Sequence, residues 1–173
     1  DTWAPPVIFV RPDYERIGLS ADGSSWESAY PDFQLAVNCA RTRNTDTNPN
    51  NDVSEIWVTK GSSVPMSTIE LVPNVSLYGG FLGDETLLDD RGRGSDGLLT
   101  HRAGLPKVGV TANDAGDITI GGFHFFRPTG LEATDTNLTF KNCLWSLRDD
   151  TASIIQMTGG SLVIQDSKIG TRS

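Results

Sequence analysis

The sequence is poor in the residues that usually bind transition metals. It has two cysteines and two histidines, Cys39, Cys143, His101 and His124, and no two of them are close in sequence. A structural zinc site uses about four such ligands, commonly in closely spaced pairs, so we expect no zinc site. One cysteine falls in a helical pattern and the other in a strand pattern, which favours two free thiols over a disulfide.

Positive charge and long apolar runs are also scarce. The chain carries 14 Lys and Arg against 22 Asp and Glu, which gives a formal net charge of −8. Binding to a nucleic-acid backbone or to an anionic membrane surface needs a concentrated basic face, so we expect neither. No apolar stretch approaches the roughly 18 residues of a bilayer-spanning helix, so we also expect no membrane insertion.

One segment near the start of the chain has a clear helical pattern. Its apolar residues recur at i, i+3, i+4 and i+7, which places them on one face of a helix over residues 31–40. Pro31 suits the first turn of such a helix. The apolar face consists of Phe33, Ala36, Val37 and Ala40. Most of the remaining chain has the two-residue period of strands, so the helix is predicted to cover one end of a β structure.

The second half of the chain contains a repeat of about 20 residues. Each copy has two apolar residues separated by one position and then a turn-prone residue, and the last three copies begin 20 and 24 residues apart. A repeat of this length predicts stacked units that cannot bury their apolar face alone. The apolar pairs are Val75/Leu77, Ile118/Ile120, Leu138/Phe140 and Leu162/Ile164, and the turn residues are Gly80, offset by one position, then Gly122, Asn142 and Asp166.

The turn residues favour a parallel β-helix over the alternatives. Glycine, asparagine and aspartate tolerate the left-handed backbone of a sharp bend between strands. A β-sandwich is the weaker alternative, because the Asn-Gly signal of tight hairpins is absent. A leucine-rich repeat lacks its regular Leu and Asn consensus. We predict one all-β domain over residues 1–173, with a cap and first strands in residues 1–60 and coils in residues 61–173.

Residues 7–91 resemble a known family. The segments "VIFVRPD", "ADGSSWESAYPDFQLAV", "EIWVTKG" and "NVSLYGGFLGDET", followed by Asp90 and Arg91, are similar to the N-terminal part of secreted bacterial right-handed parallel β-helix proteins of the pectate-lyase-like fold. The resemblance implies a right-handed β-helix with a short N-terminal capping α-helix, anchored by Trp26 and Tyr30. It also implies a secreted or cell-surface location. Beyond Arg91 only the generic coil pattern continues.

Because some members of this fold cleave acidic polysaccharides, paired carboxylates are candidate catalytic residues. Asp149 and Asp150 in "LRDDTA" form the best pair, with Arg148 beside them. Adjacent residues on a strand face opposite ways, however, and Asp-Asp before Thr is typical of a solvated turn. Asp89 and Asp90 are interpreted in the same way. We therefore predict no catalytic residues, and a polysaccharide-active enzyme is the alternative.

Two further groups of residues are candidate binding sites. Asp114 and Asp117 could offer oxygen ligands to calcium but lack an EF-hand spacing, so we predict no metal and no cofactor. Aromatic side chains could instead stack on a carbohydrate, and His124, Phe126 and Trp145 are close in the strand pattern. Phe123, Phe125 and Phe126 are more typical of core residues.

The leading hypothesis is a non-enzymatic extracellular module with a structural, adhesive or filament-forming role. The alternatives are a polysaccharide-active lyase or glycoside hydrolase, or a fragment of one, and a carbohydrate-binding module. The segment "SLVIQDSKIGTRS" has no helix after it to cover Leu162 and Ile164, which we expect to be bare. Bare edges pair with other chains, so self-association through this end is predicted, beside a longer chain or a self-capped monomer. A polysaccharide or cell-surface ligand is the other partner considered.

Overall fold

The computed structural model describes residues 6–12, 20–62, 68–96, 98–106, 109–147 and 155–171. Within them it has one α-helix, α1 (Phe33–Thr45), and two short 3-10 segments, Pro49–Asn51 and Leu88–Asp90. The strands in chain order are β1 (Val7–Val10), β2 (Glu55–Thr59), β3 (Gly61–Ser62), β4 (Ile69–Glu70), β5 (Ser76–Phe81), β6 (Ala103–Pro106), β7 (Gly109–Gly121), β8 (Phe123–Phe126), β9 (Gly130–Lys141), β10 (Leu144–Leu147), β11 (Ile155–Thr158), β12 (Ser161–Gln165) and β13 (Lys168–Thr171).

The strands stack into three faces of a coil of about five turns, and all named strand pairs are parallel. Left-handed residues at Asp114, Gly116 and Asp135 interrupt β7 and β9, so each of these strands serves two faces. Face 1 contains β4, the first halves of β7 and β9, and β11. Face 2 contains β1, β2, β5, the second halves of β7 and β9, and β12. Face 3 contains β3, β6, β8, β10 and β13. The predicted all-β parallel solenoid with one short helix is confirmed.

The strand register confirms the four-copy repeat. Leu77 pairs with Ile120, which pairs with Phe140, which pairs with Ile164, and the same register aligns the other apolar residues of the repeat. In the first three copies these side chains stack in the core, because each position of one coil lies directly over the same position of the next. The turn residues Gly80, Gly122, Asn142 and Asp166 all have positive φ, between 49° and 91°.

The offset of the first copy has a structural cause. Val58 pairs with Gly79 and Thr59 pairs with Phe81, so Gly80 is an extra residue in β5 without a partner on β2. This is a β-bulge, which inserts one residue into a strand and shifts every following position by one. A side chain at Gly80 would lie 2.4 Å from the backbone oxygen of His101, so the bulge requires glycine.

Asn142 provides a test of the turn positions. It is buried, its φ is 56°, and its side-chain oxygen accepts a hydrogen bond from the Leu99 N–H. Asn142→Val is expected to lower the free energy of unfolding by about 2–4 kcal/mol, because a β-branched residue is strained there and a buried donor loses its partner. The exposed neighbour gives the control: Lys141→Val should change it by less than about 0.5 kcal/mol. Urea denaturation measures both, and equal effects would show that the left-handed turn is not required.

Helix α1 covers the beginning of the solenoid. Asp32 is its N-cap and accepts hydrogen bonds from the N–H groups of Gln34 and Leu35, at 2.6 and 3.2 Å. The predicted apolar face is confirmed, since its four residues are the buried residues of the helix. The ring of Phe33 lies 6.4 Å from that of Phe123, inside the coil. Pro31 is a correction: it precedes the N-cap rather than lying in the first turn.

A second cluster of aromatic residues lies on the outer side of face 2. Trp26, Trp57 and Phe81 are buried there with Phe9 beside them, separately from the main core. The Trp26 ring N–H donates a hydrogen bond of 2.8 Å to the Glu85 carbonyl. The expectation that Trp26 anchors the helix is therefore wrong, because Trp26 holds the segment before the helix onto the outer face.

Tyr30 does contact the helix and also covers the edge of β1. Burial and a hydrogen bond with Cys39 of α1 raise the pKa of Tyr30 to about 12. The Tyr30 N–H donates to the Phe9 carbonyl, the Tyr30 carbonyl accepts from Arg11, and the Gly23 carbonyl accepts from the Phe9 N–H, all at 2.8–3.0 Å. Residues 22–30 thus pair with the backbone of Phe9 and Arg11, on the side of β1 that faces away from β2.

Candidate functional site

The carboxylates considered in the sequence do not form a catalytic pair in the described residues. Asp149 and Asp150, with Arg148, lie outside the part of the chain that the structure describes. The Asp90 carboxylate accepts hydrogen bonds from the N–H groups of Leu87 and Thr86 and so closes a turn. Asp89 is exposed and forms an ion pair of 3.7 Å with Arg93. Both described carboxylates therefore stabilise a loop.

Arg91 has a structural role beside a shallow groove. Its guanidinium lies between the rings of Tyr78 and Phe81, at 5.5 and 5.2 Å, and donates hydrogen bonds to the Gly79 and Leu88 carbonyls. Burial, and then the nearby charge of Arg93, lower the pKa of Arg91. These contacts fix the loop over the bulge of β5.

The groove itself is lined mainly by hydroxyl and cationic groups. Its volume is about 250 Å³. The described lining includes one carboxylate, Asp89, whereas glycoside hydrolysis needs two carboxyl groups across the bond that is cleaved. The lining residues are Tyr78, Leu88, Asp89, Arg91, Arg93, Thr119, Thr139, Lys141 and Gln165. The groove thus provides positive charge and an aromatic ring without an acid and base pair.

The residues considered for calcium lie at a corner of the coil. Asp114 is one of the left-handed residues of β7, and Asp117 accepts a hydrogen bond of 2.8 Å from the Asn137 amide. Asn137 in turn accepts from the Ser161 hydroxyl at 2.9 Å, so these side chains form a ladder between coils. Among the described residues no group of three or more His, Cys, Asp or Glu is placed to hold a metal ion.

Polar side chains fix the end of helix α1. They belong to the run Asn-Thr-Asp at residues 44–46. Here the run ends helix α1. Asn44 exchanges two hydrogen bonds with the backbone of Val53, and Asp46 accepts from the Asn48 N–H and the Asn51 amide. Both polar side chains are therefore used to fix the end of the helix.

The aromatic residues considered for carbohydrate stacking are separated by the wall of the coil. Trp145 is buried in the core, where it stacks on Phe125 with ring centroids 5.4 Å apart. His124 and Phe126 face outward from β8, and His124 shares a hydrogen bond of 2.8 Å with Ser146. The core prediction is confirmed for Phe123 and Phe125 and is wrong for Phe126, because side chains alternate along β8.

The two thiols are not joined to each other. Cys143 is buried, and this burial raises its pKa to about 11. Its Sγ donates a hydrogen bond of 3.3 Å to the Ile120 carbonyl. A thiol with a raised pKa and no access to solvent is a poor nucleophile, so Cys143 contributes to the core rather than to chemistry.

The last coil is the site that the structure leaves most open. Leu162, Ile164 and Ile169 are 38%, 42% and 54% exposed, and the prediction that Leu162 and Ile164 are bare is confirmed. Within the described residues β12 pairs with β9 and β13 pairs with β10, and neither has a partner on its other side. We name the surface formed by β11, β12 and β13 the open coil.

The free backbone groups of the open coil follow from one hydrogen bond. The Gln165 carbonyl accepts from the Asn142 N–H, so Gln165 directs its backbone toward β9. In a parallel ladder alternate residues point to opposite sides. Val163 therefore also points toward β9, while the N–H and C=O groups of Leu162 and Ile164 point away from it. These are the groups that pair with an added strand.

Val163 is the residue of this site that the sequence analysis missed. It is 41% exposed and pairs with Thr139, which pairs with Thr119. The outward position is thus polar in the two preceding coils and apolar in the last one. A comparison of the same position from coil to coil in the sequence would have identified Val163 as unusual.

Comparison with protein-family models, with curated proteins and with solved structures gives no match for this chain. Of the features that the resemblance implies, the structure therefore shows the parallel β-solenoid. The helix in the described residues also lacks the length and the apolar character needed to cross a bilayer.

Proposed function

We propose that this protein is a non-enzymatic extracellular structural module of the secreted β-helix type, and that it assembles end to end by adding a β-edge to its open coil. The observation that supports this proposal is the bare last coil, which combines unpaired backbone groups with exposed Leu162, Val163 and Ile164. An uncovered strand edge with apolar side chains is a template for pairing with another chain.

The charge distribution is consistent with an association surface. The whole chain has a net charge of −8, whereas residues 155–171 contain one acid, Asp166, and one base, Lys168. Like charges repel most where they are concentrated, so a locally neutral surface is the part of an acidic protein that approaches another copy at least cost.

A single substitution in the open coil tests the proposal. Ile164→Lys is expected to abolish self-association, because it places a charge at a position that the added strand would cover. The control is Leu35→Lys, since Leu35 is 50% exposed on α1 at the opposite end. Sedimentation velocity over a wide concentration range measures both variants. A wild-type chain that stays monomeric, or assemblies that survive Ile164→Lys, would contradict the proposal.

A second candidate, binding of an acidic polysaccharide, is favoured by the cations Arg91, Arg93 and Lys141 beside Tyr78 in the groove. A panel of neutral and uronate polysaccharides, tested for binding and for release of uronic acid with and without calcium, separates the possibilities. We expect no turnover. Robust turnover that is lost in Asp149→Ala or Asp150→Ala would show an enzyme instead.

A further inference from the structure

The two ends of the solenoid are not equivalent as strand-pairing surfaces. At the beginning, residues 22–30 hydrogen-bond to the outer edge of β1, and α1 lies over the core. At the other end, the described edges of β12 and β13 have no partner. A head-to-tail contact would have to displace residues 22–30, whereas two open coils are ready to meet without any rearrangement.

We infer that the partner of the open coil is the open coil of a second copy, joined tail to tail about a two-fold axis. This inference rests on the proposed function, since it names the partner of the same surface. A two-fold contact uses the same patch on both copies and closes after two. The product is a dimer with a capped end on each side, rather than a filament.

The three-sided coil is compatible with such an axis. The axis passes through the middle of β12 and through the corner between faces 1 and 3. Rotation by 180° about this axis reverses the direction of β12 and exchanges the positions of faces 1 and 3. The β12 strands of the two copies then pair antiparallel, and β11 of each copy pairs with β13 of the other. The strands β11 and β13 have the same length, four residues each.

The two-fold axis also compensates for the difference in height between the faces of the coil. A parallel coil advances about 4.8 Å per turn, so successive faces differ in height by about 1.6 Å. In the open coil β13 therefore stands above β12, and β11 stands below it by a similar step. The two-fold axis places the highest strand of one copy over the lowest strand of the other, so the gap is even across all three faces.

The register of the central pair follows from the side chains and the backbone. Opposite residues of an antiparallel pair lie on the same side of the sheet. An axis through Val163, the middle residue of β12, sets Leu162 opposite the partner's Ile164 and Val163 opposite its own copy, which meets this condition. The free backbone groups are those of Leu162 and Ile164, and in this register they form hydrogen-bonded pairs. Val163 then lies in the non-hydrogen-bonded pair, where Cα atoms are about 4.5 Å apart.

A disulfide at Val163 tests the axis directly. In a Cys39→Ser background, Val163→Cys should form a covalent dimer under oxidising conditions, because a Cα separation of about 4.5 Å suits a disulfide. Gln165→Cys is the matched control on the same strand and the same side. Gln165 lies opposite the partner's Ser161, so its own copy is about 13 Å away along the strand, beyond disulfide reach. The covalent dimer should be at least about tenfold less abundant in this control.

The outcomes separate this inference from the proposed function. A wild-type species that stops at a dimer, together with a crosslink at position 163 and not at 165, supports both. Assemblies that keep growing with concentration, without a crosslink in Val163→Cys, would overturn the two-fold contact and leave strand addition to the open coil in place. A strictly monomeric wild-type chain would overturn both.

Discussion

Replacing Phe33 by alanine is expected to lower the free energy of unfolding by about 3–5 kcal/mol, which is usual for removing a large buried aromatic side chain. Phe33 is 1% exposed and begins α1, so its ring extends from the helix into the coil toward Phe123. The loss leaves a cavity between the helix and the first strands that the rigid stack cannot fill. Urea denaturation, with the slope compared between variants, measures the effect.

The same helix provides the control for this prediction. Leu35→Ala removes an apolar side chain that is half exposed on the opposite side of α1, and we expect a change of less than about 0.5 kcal/mol. A loss below about 1 kcal/mol in Phe33→Ala would show that the helix does not seal the core. A large loss in Leu35→Ala would instead indicate that α1 is stabilised through its outer side.

The coil could be predicted from the sequence because its strands and turns are determined by residues that are close in sequence. Ile118, Leu138 and Leu162 occupy one core position in successive coils, and each is followed at a fixed distance by a residue in the left-handed region. The apolar alternation identifies the strands, and the turn residues identify the corners. Stacking then needs no long-range information, because each coil contacts its neighbours in sequence order.

The outer cluster could not be predicted in the same way. Trp57 faces outward from β2, where alternation predicts exposure, yet it is 6% exposed because Trp26 and Phe81 cover it. Trp26 lies 31 positions before Trp57 in the chain, and no local pattern connects these two residues. The wrong expectation for Trp26 has the same origin, since an aromatic residue just before a helix can pack on either side of the chain.

Only part of the candidate site could be predicted, again because some of its contacts join segments that are distant in sequence. The repeat in the sequence places Leu162 and Ile164 at the core positions of the coil that contains β12. The sequence does not reveal the difference between the two ends, because the bonds from Gly23 and Tyr30 to β1 join segments that it does not mark as partners. Only the structure shows that one edge is occupied and the other is not.

Trp26→Ala tests whether the occupied edge depends on the outer cluster. The Trp26 ring lies 4.7 Å from that of Phe9 and 5.5 Å from that of Phe81, and its N–H is bonded to Glu85. We expect a loss of about 3–5 kcal/mol from the free energy of unfolding. Trp26→Phe is the control, because it keeps an aromatic ring and removes the hydrogen bond, with an expected loss of about 1–2 kcal/mol.

Hydrogen exchange then reports on the edge of β1. The amides of Phe9, Arg11 and Tyr30 are bonded between β1 and residues 22–30, and in Trp26→Ala they should exchange faster than the amides of β2. Exposing this edge also gives the dimer a new pairing edge at each of its outer ends, so Trp26→Ala should form assemblies longer than two copies. Unchanged exchange at these amides would show that the backbone bonds alone hold residues 22–30 in place. Faster exchange without longer assemblies would show that α1, rather than the covered edge, prevents further stacking at that end.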